Sequence, residues 1–391
     1  MPGMESILCV PGFEVRSVEG LNPVVIKARY TGRVSCPHCD STNARNKDRF
    51  VRRLHHESIG VRRCVLELEA RKFQCLDCGR YFHQRFPGIL PYRRSTEGFR
   101  REVFELHRSG ICQQALAEQK HIGSATVERC FHDFLERKVA EMKNNPCPRA
   151  LGLDEHFFSR RDGYATTFCD LQHHRVHDVV LGRSEAALDG VFRRLPQKER
   201  VKVVCMDLAS VYRALVRRHM PQARIVADRF HVIRLVNHHF LNTWRKLDEV
   251  GSKSRGLLSL MRRHEEHLKP IQALRLKEYL SRHPALAAVY EFKQKLCRLL
   301  LIKHRTKRQC RRLIGPLLTY IEQLKASGFE SLKTLGQTLW NWREEIACMW
   351  RFTKNNGMTE GFHTKMEMIQ RRAFGFRNFE NYRLRVKALC A

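Results

Sequence analysis

A chain of 391 residues is long enough for two or more domains, each with its own core. Lys and Arg number 72 against 40 Asp and Glu, a formal net charge of +32, and an excess of that size points to a polyanion, nucleic acid above all, as the partner; a merely basic surface is the rival reading. The start, Met1-Pro-Gly-Met-Glu-Ser, has no basic and apolar leader, the densest apolar run (Leu299-Leu300-Leu301-Ile302) is far short of a membrane span, and an odd set of 15 scattered cysteines does not form a secreted disulfide framework, so a cytoplasmic, membrane-free protein is expected.

Residues 1–92 read as a zinc-binding β unit. Cys36-Pro-His-Cys39 and Cys75-Leu-Asp-Cys78 are two C-x-x-C knuckles, and together they offer the four thiolates of a closed, structural zinc site. The chain between them reads as strands: Val61 to Ala70 alternates, and Arg71-Lys-Phe-Gln leads into the second knuckle. Cys64 has no mate and reads as a buried thiol. Arg71, Lys72, Arg80 and Arg85 flank the site and could touch phosphates.

Residues 95–145 read as a helix-turn-helix. Thr96 to His107 has helical period and stops at Ser109-Gly110. A short helix follows over Ile111 to Lys120, then a turn at His121-Ile-Gly123. The next helix is expected from Ala125 to about Val139 with Ser124 as its cap. Its first turns would enter a DNA groove with Ser124, Thr126, Glu128 and Arg129 outward, although any small helical hairpin has the same outline. Asn144-Asn-Pro-Cys-Pro148 reads as a domain boundary.

Residues 149–232 read as the first part of a catalytic core. Arg149-Ala-Leu-Gly-Leu-Asp154 is expected to be a buried strand ending on a carboxylate. A hairpin turn at Arg160-Arg-Asp-Gly163, a strand over Tyr164–Asp170 and a third over Arg175–Leu181 follow, with Asp170 and Asp178 as turn or hairpin residues. A helix capped by Ser184 leads to Val201-Lys-Val-Val-Cys-Met-Asp207, a second apolar strand with an acid at its end, then a helix from Ser210 to about His219 and a strand over Ala223–Ala227. This β-β-β-α-β-α-β order is that of an RNase H-like α/β sheet. Glu155 is the rival to Asp154, since neighbouring strand residues face opposite ways. Asp228-Arg-Phe-His231 supplies a pair, Asp228 and His231, that could orient the acids or DNA.

Residues 233–350 read as an all-helical insertion. Arg298 to Arg312 is basic with no acid, and Arg305, Lys307 and Arg308 there are expected to meet the DNA backbone. Trp340, Trp342 and Trp350 read as core, with one free to stack on a base. Residues 351–391 read as the last core helix and a C-terminal tail. Glu360 lies on the face opposite the apolar stripe of Met358, Phe362, Met366, Ile369 and Ala373, with Lys365, Arg371 and Arg372 near it and Glu367 as the rival acid. Two hard cations roughly 3.5–4 Å apart, held by carboxylates, suit phosphodiester chemistry, so Asp154, Asp207 and Glu360 are the expected ligands of two Mg2+ or Mn2+ ions.

These residues resemble the transposases of the ISL3 family of bacterial insertion sequences over nearly the full length. Leu153-Asp-Glu-His, Cys205-Met-Asp-Leu-Ala-Ser-Val-Tyr212 and Ala227-Asp-Arg-Phe-His-Val232 resemble its core motifs. The most specific match is Asn356-Gly-Met-Thr-Glu-Gly with Arg371-Arg-Ala-Phe-Gly-Phe-Arg-Asn-Phe-Glu-Asn-Tyr-Arg-Leu384. The resemblance implies a DDE transposase with Asp154, Asp207 and Glu360 as its triad, acting on double-stranded DNA at terminal inverted repeats and target sites, and dimeric when two ends are paired. A DNA-binding regulator with an inert core, or a nuclease of the same fold that never joins ends, would share much of this pattern.

Overall fold

The computed structural model describes residues 12–142, 145–352 and 357–390; Asn144 of the expected boundary, Asn355 and Asn356 of the last motif, and the side chain of Met358 lie outside the described residues. The chain divides into two compact units, Met1–Glu141 and Met142–Ala391.

The first unit begins with strands β1 (Phe13–Glu19), β2 (Val24–Tyr30), β3 (Ala44–Ile59), β4 (Arg62–Cys75) and β5 (Tyr81–His83), in a sheet of order β1-β2-β4-β3 with β5 on the far end of β4. β4 is one strand reaching the second knuckle, but the alternation expected over Val61–Ala70 changes phase at Arg71–Lys72, beside a bulge in β3 between Asn46 and Asp48, so that Phe73 and Cys75 are the next buried residues. Its inward residues Cys64, Leu66, Leu68 and Ala70 are buried with Ile26, Leu54 and Phe86. Gly60, at φ 64, makes the tight turn between β3 and β4 that residues with a Cβ resist.

Three helices follow: α1 (Glu97–Ser109), α2 (Gln113–Lys120) and α3 (Ser124–Met142). Thr96 caps α1 by accepting from Phe99 N, and Gly110 and His121 end α1 and α2 in the left-handed conformation. Ser124 does not cap α3, contrary to expectation. It is the first helical residue, and the carbonyl of Gly123 takes the first bonds, from Thr126 N at 2.8 Å and Val127 N at 3.3 Å. The helices share a small core of Phe99, Val103, Leu116 and Val127. Lys120 fastens that core to the β3 end, its Nζ donating to Ser58 Oγ at 2.7 Å and Glu102 Oε1 at 2.6 Å.

The second unit is built on β6 (Ala150–Ser159), β7 (Gly163–Asp170), β8 (Arg175–Leu181), β9 (Val203–Met206) and β10 (Arg224–Ala227), in the order β10-β9-β6-β7-β8. β10, β9 and β6 are parallel; β7 and β8 are antiparallel to their neighbours. Helices α4 (Glu185–Arg194) and α5 (Ser210–His219) make the crossovers, and Ser184 caps α4 as its sequence predicts. β6 does not end at Asp154. It runs five residues further because β7 pairs with it as far as Ser159↔Gly163, and the polar residues Asp154, Glu155 and His156 simply alternate between faces. Asp178 is not a turn residue either. It sits inside β8, where Arg383 grips it with bonds of 2.8 and 2.7 Å. Asp170 does act in the turn, accepting from Gln172 N and His173 N.

The insertion is helical throughout: α6 (Arg229–Leu247), α7 (Glu249–Ser252), α8 (Arg255–Arg262), α9 (Pro270–Ser281), α10 (Pro284–Leu301), α11 (Lys307–Lys325), α12 (Glu330–Asn341) and α13 (Arg343–Cys348). α6, α10, α11, α12 and α13 join Leu151, Leu153, Val204 and Met206 in one core over one face of the sheet. Trp342 and Trp350 lie within it, while Trp340 is half-buried, with Lys325 and Arg343 over its ring. α14 (Gly357–Arg372) covers the other face, joined there by α15 (Phe379–Leu389), a second helix where a tail was expected. α15 docks through Tyr382 and Val386, both fully buried, and through the Asp178–Arg383 pair. No helix of the described residues is long and apolar enough to cross a membrane.

Candidate active site

The parallel register builds the site. Pairing of β6 with β9 ends at Leu153↔Met206, and pairing of β10 with β9 ends at Ala227↔Met206. The next residue on each strand is an acid: Asp154, Asp207 and Asp228. Three carboxylates therefore lie in a row where the parallel pairing stops, at the C-terminal ends of β9 and β10 and midway along β6, and the ends of parallel strands are where open α/β sheets hold ligands. Gly152 and Cys205, two residues before Asp154 and Asp207, pair with each other, so these two acids point to one side of the sheet.

That side is covered by α14. Asp154 is 6% exposed, and Asp228 is 1% exposed at the N-terminus of α6. A carboxylate oxygen from each of Asp154 and Asp207 and a ring nitrogen of His231, on the first turn of α6, all lie within 4.8 Å of one another. Glu155, the rival, is on the opposite face and pairs with Arg183 at 3.0 Å. Burial, and then the carboxylate of Asp207, push Asp154 up to about 7. Burial also raises Asp207, against the pull of His231. For His231 burial opposes the charge, but Asp207 and Asp228 outweigh it and push the imidazole up to about 10.

Does this donor set suit a hard cation? His231 Nδ1 is hydrogen-bonded to Asp228 Oδ2 at 2.7 Å. It also lies 2.7 Å from Asp207 Oδ1, yet that buried oxygen has no aligned hydrogen bond. Two close carboxylates, one with a sealed oxygen that no aligned donor reaches, form an oxygen-rich site of the kind that holds a hard cation. The residues fit a divalent metal.

Glu360 stands outside this group of three. It is exposed in the first turn of α14, one turn before His363, and Glu367 is exposed and pairs with Arg371 at 3.4 Å. His363 is the residue α14 delivers to the acids, with Nδ1 3.8 Å from Asp154 Oδ2. Behind it runs a buried polar chain: His363 Nε2 to Thr167 Oγ1 at 3.3 Å, Thr167 Oγ1 to His156 Nδ1 at 3.0 Å, and His156 Nε2 to Tyr382 OH at 2.8 Å. Burial, then the positive His231, depress His363 to about 4, and burial, then His363, depress His156 to about 3, so both rings are neutral around pH 7. The sequence reading missed these two histidines. The available signals were that His156 faces the same way as Asp154, two residues on, and that His363 follows Glu360 by one helical turn.

The second constellation is Cys36, Cys39, Cys75 and Cys78, which meet as expected. Cys36 and Cys78 sulfurs are 3.7 Å apart and Cys39 and Cys75 sulfurs 3.5 Å apart. A zinc tetrahedron with bonds near 2.3 Å has edges of about 3.8 Å, so the four sulfurs are already spaced for the metal. Backbone amides of Cys78 and Asp77 hold the Cys75 thiol down to about 7. Cys64 is buried away from the cluster in the sheet core, where burial pushes its thiol up to about 11.

The model of the ISL3 transposases matches residues 151–386. The chain belongs to the ISL3 family of insertion-sequence transposases. A second family model, the zinc-finger of transposase IS204/IS1001/IS1096/IS1165, matches residues 32–78 and so contains all four cysteines. Among curated proteins, the transposase for insertion sequence element IS1001 of Bordetella parapertussis is 28% identical over 367 residues, covering 90% of this chain and 88% of that relative. Membership in the ISL3 family makes the four-cysteine cluster a zinc ribbon, and it gives the acid pocket the setting of a DDE-type transposase domain.

The remaining expected DNA contacts fall at the surface. Ser124 and Arg129 are exposed on the first turns of α3, with Thr126 half-buried and accepting from Arg129 at 3.1 Å. Arg305, Lys307 and Arg308 are exposed at the start of α11, and Arg371 and Arg372 at the end of α14.

Proposed function

We propose that this ISL3 transposase cuts and joins DNA strands at the acid pocket of its second unit, with Asp154, Asp207 and Glu360 as the ligands of two Mg2+ or Mn2+ ions. The observation that carries the reading is the emergence of Asp154 and Asp207 side by side, buried, at the end of the parallel pairing. The sheet order and crossovers support an RNase H-like core interrupted by a helical insertion between Asp207 and Glu360. Divalent cations bound there supply activation of the attacking oxygen and stabilisation of the leaving one. Asp154 and Asp207 hold the cations; Asp228 fixes the ring of His231, which orients Asp207; neutral His363 braces Asp154. Glu360, exposed in the first turn of α14 one turn before His363, completes the set in this reading. The pocket accepts water as the nucleophile for cleavage and the freed 3′-hydroxyl for joining, each displacing the opposite oxygen of the phosphodiester.

In this reading α1–α3 form a helix-turn-helix that, with the zinc ribbon, holds the terminal inverted repeats of double-stranded DNA, while the exposed arginines of α11 and α14 take backbone phosphates. Two copies pair on two DNA ends, and the protein works in the cytoplasm at the nucleoid. The test is cleavage of supercoiled DNA bearing the element's ends. Asp207→Asn should retain end binding and lose Mg2+-dependent cleavage by at least about a hundredfold, the scale on which a group stabilising the transition state acts. Cleavage by that variant at the wild-type rate would remove Asp207 from the chemistry.

A further inference from the structure

Helix α6 has two faces. Val232, Val236, Phe240 and Trp244 are buried, whereas Phe230, Arg234, Asn237, His238 and Arg245 recur on the opposite side at helical spacing. α8 lines the edge of that side with Arg262 and leaves an open groove of about 410 Å3, with Ile233 and Leu241 as an apolar floor. One end of the groove is next to the acid pocket. The Phe230 ring is 5.5 Å from the His231 ring, whose Nδ1 lies 2.7 Å from Asp207. From Phe230 to Arg245 the helix advances about 22 Å.

The chemistry of the lining is specific. It contains three arginines and no carboxylate. Arg234, Arg245 and Arg262 form no ion pair among the described residues, although acids neutralise arginines elsewhere on the unit, as Glu345 does for Arg213 and Arg217. Arg245 is instead held in place by donating to Asn242 Oδ1 at 2.8 Å, and Asn242 is bonded to His238 at 3.0 Å. Asn237 Oδ1 is sealed from solvent and has no donor. Phe230 is 50% exposed at the mouth nearest the acids, so its ring has a face open to a ligand. Guanidinium groups without acids take phosphates, and an exposed aromatic face takes an unpaired base. An unpaired strand offers a phosphate chain and a free base face together, whereas a duplex keeps its base faces stacked inside.

We propose that this groove binds a single-stranded stretch of the DNA being processed. The base nearest the cut stacks on Phe230, and the sugar-phosphate chain behind it passes Arg234 and Arg262. The proposal rests on the strand-cutting reading of the acid pocket, and the groove's role would be to hold the strand end once pairing at the cut is opened.

The test uses the full-length zinc-loaded protein without added Mg2+, and fluorescence anisotropy with two labelled probes: a blunt duplex, and the same duplex carrying an oligothymidine tail. Phe230→Ala should weaken binding of the tailed probe roughly five- to 150-fold, leave the blunt probe unchanged, and be rescued by Phe230→Tyr. Arg234→Ala combined with Arg262→Ala should lower the slope of log affinity against log salt by about 1.4 for the tailed probe. Because Phe230 is half exposed, an unchanged melting temperature confirms that the fold is intact. Equal losses on both probes would make the groove a duplex surface and overturn the proposal; no loss on either would overturn it too. Plasmid cleavage is read separately. If the tailed probe behaves as expected while no metal-dependent cleavage is found, the groove stands and the strand-cutting reading falls.

Discussion

Arg229 offers the sharpest test of how the insertion is tied to the acid pocket. It is 5% exposed, sits between Asp228 and His231 in sequence, and makes no ion pair among the described residues. Its guanidinium donates to three main-chain carbonyls instead: Nε to Leu300 O at 3.3 Å, and Nη2 to Ile302 O at 3.2 Å and Met349 O at 2.6 Å. These carbonyls end α10 and α13, so the buried cation is neutralised by two helix C-termini, where the macrodipole is negative. Arg229→Met keeps the stem and removes the charge with all three bonds. A hydrogen bond to a charged group contributes about 1.5–3 kcal/mol, but bonds that share one guanidinium do not add in full and the methionine stays packed, so the expected loss is about 3–5 kcal/mol, as for other broken buried charge contacts. At 2–4 °C per kcal/mol for a unit of this size, calorimetry should show the second unit melting roughly 6–20 °C lower. Arg229→Lys keeps the charge and some of the bonds and should lose about half as much. A methionine variant melting within about 2 °C of wild type would refute the idea that these two helix ends need the cation.

Chelation by a membrane-impermeant zinc chelator should release about one zinc per chain and melt the β3–β4 end of the first unit, and Cys75→Ser should do the same; a metal-sensitive dye and circular dichroism read it, and an unchanged sheet signal after full release would make the cluster dispensable. Asp178 is the acid to watch at low pH. Burial raises its carboxyl, but the bidentate Arg383 and nearby Lys387 outweigh burial and hold it below the usual carboxylate range. Its stabilising effect is therefore complete above about pH 4 and lost as pH falls through its folded value, so Asp178→Asn should be less stable than wild type at pH 7 and converge with it in acid; parallel curves across that range would contradict the assignment. Gly336 lets α12 approach α11. A Cβ there would meet Leu324 Cβ at 3.0 Å, Lys325 N at 3.0 Å and Ile321 O at 3.1 Å, two of them backbone atoms, so Gly336→Ala should cost about 1–3 kcal/mol in urea unfolding, and a stabilised variant would show that the helices can part.

What could be read from the chain beforehand was mostly local. β7, β8, α4 and α5 lie where alternation, the Ser184 cap and the apolar stripes put them, because each of those signals is contained in a few neighbouring residues. The four cysteines are equally local in character: two fixed pairs with one chemistry between them. Ser124 was misread because a serine before an apolar run is a good cap only if the preceding turn stops short of it, and here Gly123 already accepts the first helical bonds.

The acid row is a different kind of fact. Nothing within Leu151–Asp154 or within Val203–Asp207 says that the two strands are neighbours in a register that ends on Leu153 and Met206; a slip of one residue would turn one acid to the opposite face. The residues themselves were visible as acids after apolar runs, but their adjacency belongs to pairing between strands some fifty residues apart, which the intervening hairpins and α4 decide. Asp228 shows the same limit more strongly. As a residue after a short strand it looked like a companion of His231, and only the β9–β10 pairing makes it the third member of the row. His156 and Thr167 follow from the same argument, since they meet across β6 and β7 at the one face on which Asp154 also points. α14 then had to bring a side chain down to that face. His363 is that side chain, 3.8 Å from Asp154 and 3.3 Å from Thr167, while Met366 and Ile369 of the same helix pack on the apolar core of that face, so the contact that positions His363 is made between elements far apart in the chain.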